Sequence, residues 1–387
     1  MIEIVFWTLA GLLLYSIVGY PLLVFLLGSL LRRKIERGDE LPDVQVIVPV
    51  HNAERELDAK LRNCLELDYP AGRLRIRVVS DGSTDGTVAI AERHADRGVE
   101  TLVVPERVGK VAAQNRAVEG VSAPVVLFTD VGIRVQPEAL RQVVSNFADP
   151  EVGVVSCRDA VDTSGGEDAG ESLYIRYDMA LREYSNRSGT LIGATGGFYA
   201  ARRELVEGGW NPAHPPDFYS ALTAIRHGMR VVEDERVVAT YASVSDRSHE
   251  LERKVRTMTR GMRALADNAD LLNPFRYGLA ALKLLHHKLL RWSMPLLLAG
   301  MLVVAGLIVS IRPDSIFWIV VLALQIASYA AGLLGLTALG SLPGVRELTR
   351  APAFIVLSNL ALARSWWNVL TGQDYTVWTP TARGSGS

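Results

Sequence analysis

Residues 4–31 carry no charged side chain, and that run constrains the fold more than any other feature. About 20 apolar residues cross a bilayer as a helix, because each backbone polar group is then satisfied within the segment. The run lacks a basic start and a small-residue cleavage site, so it reads as an uncleaved anchor and not as a signal peptide. Arg32, Arg33, Lys34 and Arg37 follow at once. Basic residues favour the cytosolic side, which puts the next segment in the cytosol and the amino terminus outside. Two further spans are expected at 289–311 and 315–340, forming a hairpin that returns the chain to the cytosol. Residues 351–370 are interrupted by Asn359, Arg364 and Asn368, with Trp366 and Trp367 beside the arginine. They fit either an interfacial helix or a span. Residues 251–291 hold nine Lys/Arg against three Asp/Glu. Amphipathic helices on an anionic leaflet or a solvated basic face both suit them.

Between these segments the chain reads as ordinary globular protein. Its 41 basic and 42 acidic residues leave no excess charge to point to nucleic acid. Cys64 and Cys157 are the only cysteines, which excludes a disulfide framework or a thiolate metal cluster. Short β-branched runs at 44–50, 74–80, 100–104 and 124–130 alternate with helical patterns at 54–67, 87–97, 110–121 and 137–147. That alternation predicts βαβ units and a largely parallel sheet. Ligands bind such sheets at the carboxyl ends of the strands, so chemistry is expected after Val50, Ser80 and Phe128.

Polar residues stand at each of those places. Asn52 follows the first strand, where it can also cap a helix. Asp81 opens Asp-Gly-Ser-Thr-Asp-Gly-Thr, which can equally be a turn and a cap. Gly109-Lys110 precedes a helix and suits phosphate, through backbone N–H groups and a cation. Asp130 ends a buried apolar strand, where a carboxylate must be paired or bound to a metal, and oxygen donors suit Mg²⁺ or Mn²⁺. Gly193, Ala194, Thr195 and Gly196 form a small-residue loop that lets a substrate approach the backbone. Asp217 opens another helical run, as a cap or as an acid–base group. Arg256 and Arg260 lie four apart on one helix face and suit either a diphosphate or the membrane surface.

Taken together, VIVPVHNAE, VSDGSTDGT, the GK with its downstream Asn, FTDVG, GATGGFYAARREL, PPDF and HHKLLRW resemble the family-2 glycosyltransferases. The likeness is to membrane-bound bacterial members such as cellulose, chitin and hyaluronan synthases. It runs from about residue 41 to 291, and more loosely to 378–383. The resemblance implies a glycosyltransferase A domain at 41–250 and inverting transfer from a nucleotide sugar, usually a UDP-sugar, with Mg²⁺ or Mn²⁺. By position it assigns the nucleotide to Pro49, His51, Asn52, Glu54, Asp81, Lys110 and Arg260, and the metal to Asp130. It assigns the acceptor to 193–196 and the general base to Asp217. Three departures stand out. Gly132 replaces a second metal carboxylate, Pro216 replaces an acidic residue, and Thr257 and Gly261 replace the Gln and Trp that flank the family's arginine.

The expected architecture is therefore an anchor at 1–37, an α/β cytosolic domain, interfacial helices at 251–291 and a membrane region at 292–383. The tail 384–387 reads as an expression scar. The expected location is a bacterial inner membrane. A lipid, a lipid-linked saccharide or a growing glycan is the expected acceptor, with membrane lipids as neighbours and a homo-oligomer left open. A processive polysaccharide synthase and an inactive nucleotide-binding scaffold are the competing readings.

Overall fold

The computed structural model describes all residues except 163–168, 243–246, 343, 374 and 376–387. The 378–383 stretch and the Gly-Ser tail therefore lie outside the described residues. Helices α1 (Ile2–Leu14) and α2 (Tyr20–Leu31) form one continuous rod, joined by a widened π-helical turn at Tyr15–Gly19. After it come strands β1 (Val44–Val50), β2 (Leu74–Asp81), β3 (Val99–Val104) and β4 (Val125–Thr129). Helices α3 (Leu57–Leu65), α4 (Thr87–Glu92), α5 (Lys110–Val118) and α6 (Ala139–Ser145) alternate with them. These four strands lie in the order 3-2-1-4, all parallel. Every residue of β1 and β4 is buried, as expected of strands covered by helices on both faces. Val46, Val48 and Leu127 pack with Leu57, Leu61 and Leu140 on one face. Ile47, Val126 and Phe128 pack with Tyr199 and Trp210 on the other, following the period-2 alternation of a strand.

The sheet continues beyond these four strands. Strands β5 (Val152–Asp162), β6 (Phe198–Arg202) and β7 (Arg230–Ala242) extend it to the order β3-β2-β1-β4-β6-β5-β7. Strand β6 runs antiparallel between β4 and β5, while β5 and β7 are parallel. The sheet is thus mainly parallel with one inverted strand, a glycosyltransferase A arrangement. Around its carboxyl edge lie α7 (Ala169–Arg187), α8 (Pro216–Arg226), α9 (Arg247–Asp267) and α10 (Pro274–Lys283). A second π-helical stretch, Leu284–Leu290, leads into α11 (Met294–Ile311), α12 (Ile316–Gly335) and α13 (Val345–Leu370).

Among the described residues three helices are long and apolar enough to cross a membrane: Ile2–Leu31, Met294–Ile311 and Ile316–Gly335. The last ends sooner than the sequence suggests. Gly335 marks the point where α13 comes so close that a Cβ there would sit 2.9 Å from Thr349 O. Helix α13 carries Arg346, Glu347, Arg350 and Arg364, and its two ends meet different neighbours. Its first half packs on α12. Its last turns meet α9, where Ser365 Oγ donates to Val255 O (3.2 Å) and Arg263 donates to Asn368 O (3.4 Å). Val255, Met262 and Leu265 on α9 are consequently buried within the protein.

Candidate active site

The first two strand ends are clasped to each other. Asn52 takes a positive φ of 48°. Its side-chain oxygen accepts from the Thr84 amide (2.8 Å), so it bridges two loops instead of capping α3. Glu54 accepts from the Gly86 amide (3.0 Å), and His51 Nδ1 lies 2.6 Å from Asp81 O. Pro49 lies within buried β1. Asp81 is 5 % exposed and spends both carboxylate oxygens on the main chain, accepting from Val108 N (2.7 Å) and Gly109 N (3.0 Å). That anchors the turn from which α5 starts. Gly109 there has φ 93°, a left-handed conformation that costs a glycine little.

Lys110, the first residue of α5, reaches across to β4 and ion-pairs with Asp130 at 2.5 Å. The Asp130 amide donates to Gly197 O (3.0 Å), which ties this carboxylate to the small-residue loop. From behind, fully buried Lys60 of α3 donates to Thr129 Oγ1 (2.8 Å) and Ile133 O (2.9 Å), bracketing Asp130. Loss of water pushes the Lys60 ammonium down.

Opposite stands Asp217, in the first turn of α8 after Pro215 and Pro216. Gly196 lies against it closely enough that a Cβ there would be 3.4 Å from the carboxylate. Burial raises the Asp217 carboxyl, and the positive charges of Lys110 and Arg260 partly offset this. Asp159 on β5 reaches water, yet so much protein surrounds it that desolvation is the main cause of its rise to about 6. Glu233, Asp217 and Asp130 add to the rise, and Arg182 opposes it. Arg182 of α7 ion-pairs with Glu233 and donates to Ser156 Oγ (2.8 Å) and Gly193 O (3.3 Å). Ser156 in turn accepts from the Thr195 amide (2.8 Å). The 193–196 loop, with half-buried Ala194 at its centre, is therefore held from both sides.

Arg260 donates to the carbonyls of Pro212 (3.1 Å), Ala213 (3.2 Å) and His214 (2.7 Å), the segment that leads into Asp217. Its charge reaches Asp217. Beside it Gly261 leaves room for the Trp292 ring, which a Cβ would touch at 3.4 Å. Lys288 lies over that ring and over Phe218.

Lys110, Asp130, Asp159, Asp217 and Lys288 thus converge from five separate elements, close enough for their charges to act on one another. As a metal centre this cluster is sparse: among the described residues no group of three or more His, Cys, Asp or Glu could hold an ion. Asp130 is a single hard oxygen donor, partly open to water and neutralised by Lys110. That donor set fits a Mg²⁺-like ion only if a ligand's phosphate oxygens and water complete the shell. Sequence reasoning missed Lys60, Asp159, Arg182, Glu233, Lys288 and Trp292. Only the histidine–lysine–tryptophan stretch at 286–292 gave any signal.

Residues 45–210 match the family model described as glycosyl transferase family 2. An N-acetylglucosaminyltransferase of Rhizobium meliloti is 33 % identical over 147 residues, 37 % of this chain and 34 % of that protein. A beta-monoglucosyldiacylglycerol synthase of Synechocystis is 28 % identical over 186 residues, 44 % of this chain and 37 % of its own. The chain thus spans only about a third of the length of these relatives. A mannosyltransferase from Pyrobaculum calidifontis, solved with GDP-Man and Mn²⁺, shares the fold with a TM-score of 0.70 at 22 % identity, covering 97 % of this chain and 100 % of the other. Residues 45–210 thus match a family 2 glycosyltransferase domain, and the sheet that carries them has a glycosyltransferase A arrangement.

Proposed function

We propose that the protein transfers a sugar, with inversion, from a nucleoside-diphosphate sugar to a lipid, lipid-linked saccharide or growing glycan at a membrane surface. The observation that carries this reading is the convergence of Asp217 and the Lys110–Asp130 pair beside the small-residue loop. Asp217 takes the proton of the acceptor hydroxyl. The acceptor oxygen then forms its bond to the anomeric carbon from the face opposite the leaving group. The bond to the diphosphate breaks, and its electron pair leaves with the diphosphate. The nucleotide lies along the 49–54 loop and Asp81, with Lys110 and Arg260 meeting the growing negative charge. A Mg²⁺ or Mn²⁺ held by Asp130 and the diphosphate would supply further charge stabilisation. The Mn²⁺ and GDP-Man of the Pyrobaculum enzyme support that ligand class, and the resemblance favours a UDP-sugar here. Burial suits Asp217 to the base role, because a raised carboxyl is a stronger base.

The apolar rods Ile2–Leu31, Met294–Ile311 and Ile316–Gly335 cross the membrane in this reading. Arg32 to Arg37 then keep the sheet domain in the cytosol, at a bacterial inner membrane. The test is release of nucleoside diphosphate by the purified protein in lipid, across a panel of nucleotide sugars with Mn²⁺ or Mg²⁺. Asp217→Asn should lower turnover roughly 10²–10⁴-fold while nucleotide affinity stays within threefold. Loss of nucleotide binding in that variant would remove Asp217 from the base role.

A further inference from the structure

Among the described residues, the two buried lysines each donate to two oxygens, and half-buried Lys288 donates to none. Lys60 donates to two oxygens, as noted. Lys283, 1 % exposed, donates to Ser185 O (2.8 Å) and Thr190 O (2.7 Å). Lys288, half-buried in the π-helical stretch, is different. Its ammonium lies 5.2 Å from the Phe218 ring centroid and 5.6 Å from that of Trp292. Among the described residues no oxygen accepts a hydrogen bond from it. An ammonium carries three donors, and ring faces satisfy none of them as an oxygen would. Its neighbours are already engaged: Arg291 pairs with Asp178 (3.0 Å) and Arg182 with Glu233. Loss of water pushes Lys288 down to about 8, although Asp178 and Asp217 attract its charge from beyond bonding reach.

The place of this cation is as informative as its want of an oxygen partner among the described residues. Phe218 directly follows Asp217, so Lys288 stands beside the proposed base, on the side where the chain enters apolar α11. Leu296 and Val303 on that helix are exposed, leaving an apolar wall that begins just past the ammonium. A hydrogen bond from a cation to an ionised oxygen is about twice as strong as one between neutral groups. An anion would therefore relieve this site more than a neutral hydroxyl.

We propose that Lys288 receives the phosphate of a lipid acceptor, holding it beside the hydroxyl that Asp217 deprotonates while the tail lies along the apolar helices. The inference rests on the transfer chemistry proposed above. Lys288 binds and orients; the bonds made and broken are those already described.

The experiment uses the full chain in vesicles of a zwitterionic lipid that carries no free hydroxyl, with the active nucleotide sugar radiolabelled. Acceptors matched in acyl chain are added: phosphatidylglycerol and phosphatidylinositol as anions that carry a hydroxyl, diacylglycerol and monoglucosyldiacylglycerol as neutral lipids. Glycerol 3-phosphate serves as the same anion without a tail. Label should pass to an anionic lipid. Lys288→Met should raise the KM for that lipid at least tenfold, Lys288→Arg should keep it within threefold, and nucleotide affinity should not change in either. A neutral lipid as the best acceptor, with an unchanged KM in Lys288→Met, overturns the proposal. So does equal use of glycerol 3-phosphate, since the tail would then play no part. Failure of every lipid while donor hydrolysis persists sinks this inference alone; failure of donor hydrolysis as well sinks the transferase reading beneath it.

Discussion

Lys60, which is buried, and Asp159, which reaches water but is crowded by protein, make the sharpest statements about single residues. Lys60→Met fills the same space but leaves Thr129 Oγ1 and Ile133 O without their donor. Orphaned buried acceptors cost about 1–3 kcal/mol, so chemical denaturation in detergent should show a loss of that size, with a rise in donor KM as Asp130 loses its backing. Unchanged stability would mean that water replaces the ammonium. Asp159 rises from an ordinary 3.8 to about 6. Between those values the folded chain holds a proton that the unfolded chain has lost. Its contribution to stability therefore falls as pH rises through that window. Melting temperatures from pH 4 to 8 should fall less steeply in Asp159→Asn than in the wild type. Parallel curves would show that its carboxylate is better solvated than its surroundings imply.

At the scale of elements, the apolar rod Ile2–Leu31 and the sheet domain are joined by direct packing. Helix α2 crosses α7 at Gly28, where a Cβ would lie 2.5 Å from Tyr184 O. Tyr20 and Val24 on α2 are buried with Leu181 of α7. Helix α7 also carries Arg182, which holds the 193–196 loop, so the amino-terminal rod reaches the candidate site in two steps. Gly28→Val should force the helices apart at a cost of about 1–3 kcal/mol, read as a lower melting temperature in detergent with acceptor KM raised more than donor KM. Equal effects on both would indicate general unfolding.

For the whole molecule, the proposed orientation puts the sheet on the cytosolic side of the three apolar rods. Cys64 and Cys157 are buried, so a surface thiol can be read against a low background. Arg93 is exposed at the end of α4. Arg93→Cys in intact cells should resist a membrane-impermeant maleimide and react fully once the cells are broken. Labelling of intact cells would reverse the orientation drawn from Arg32–Arg37.

Strands β1 to β4 and their helices could be read directly, because a strand buried on both faces must be a nearly continuous β-branched run such as 44–50. So could the apolar rods, and Asp81, Lys110, Asp130 and Asp217 could be picked out by their places at strand and helix ends. Strands β5 to β7 could not. In β7 the charged Glu233 and Asp234 interrupt the apolar pattern, and their partners Arg182, Asn146 and Arg236 include residues far away in the chain. Local sequence thus determined which segments are apolar, periodic or turn-forming, since these are properties of neighbours along the chain. Only the tertiary structure decided that Asp81 is spent on backbone amides, that Trp292 fills the space beside Gly261, and that Lys288 lies over Phe218 and Trp292 with no oxygen among the described residues accepting from it. Those outcomes depend on distances between segments that no local pattern encodes.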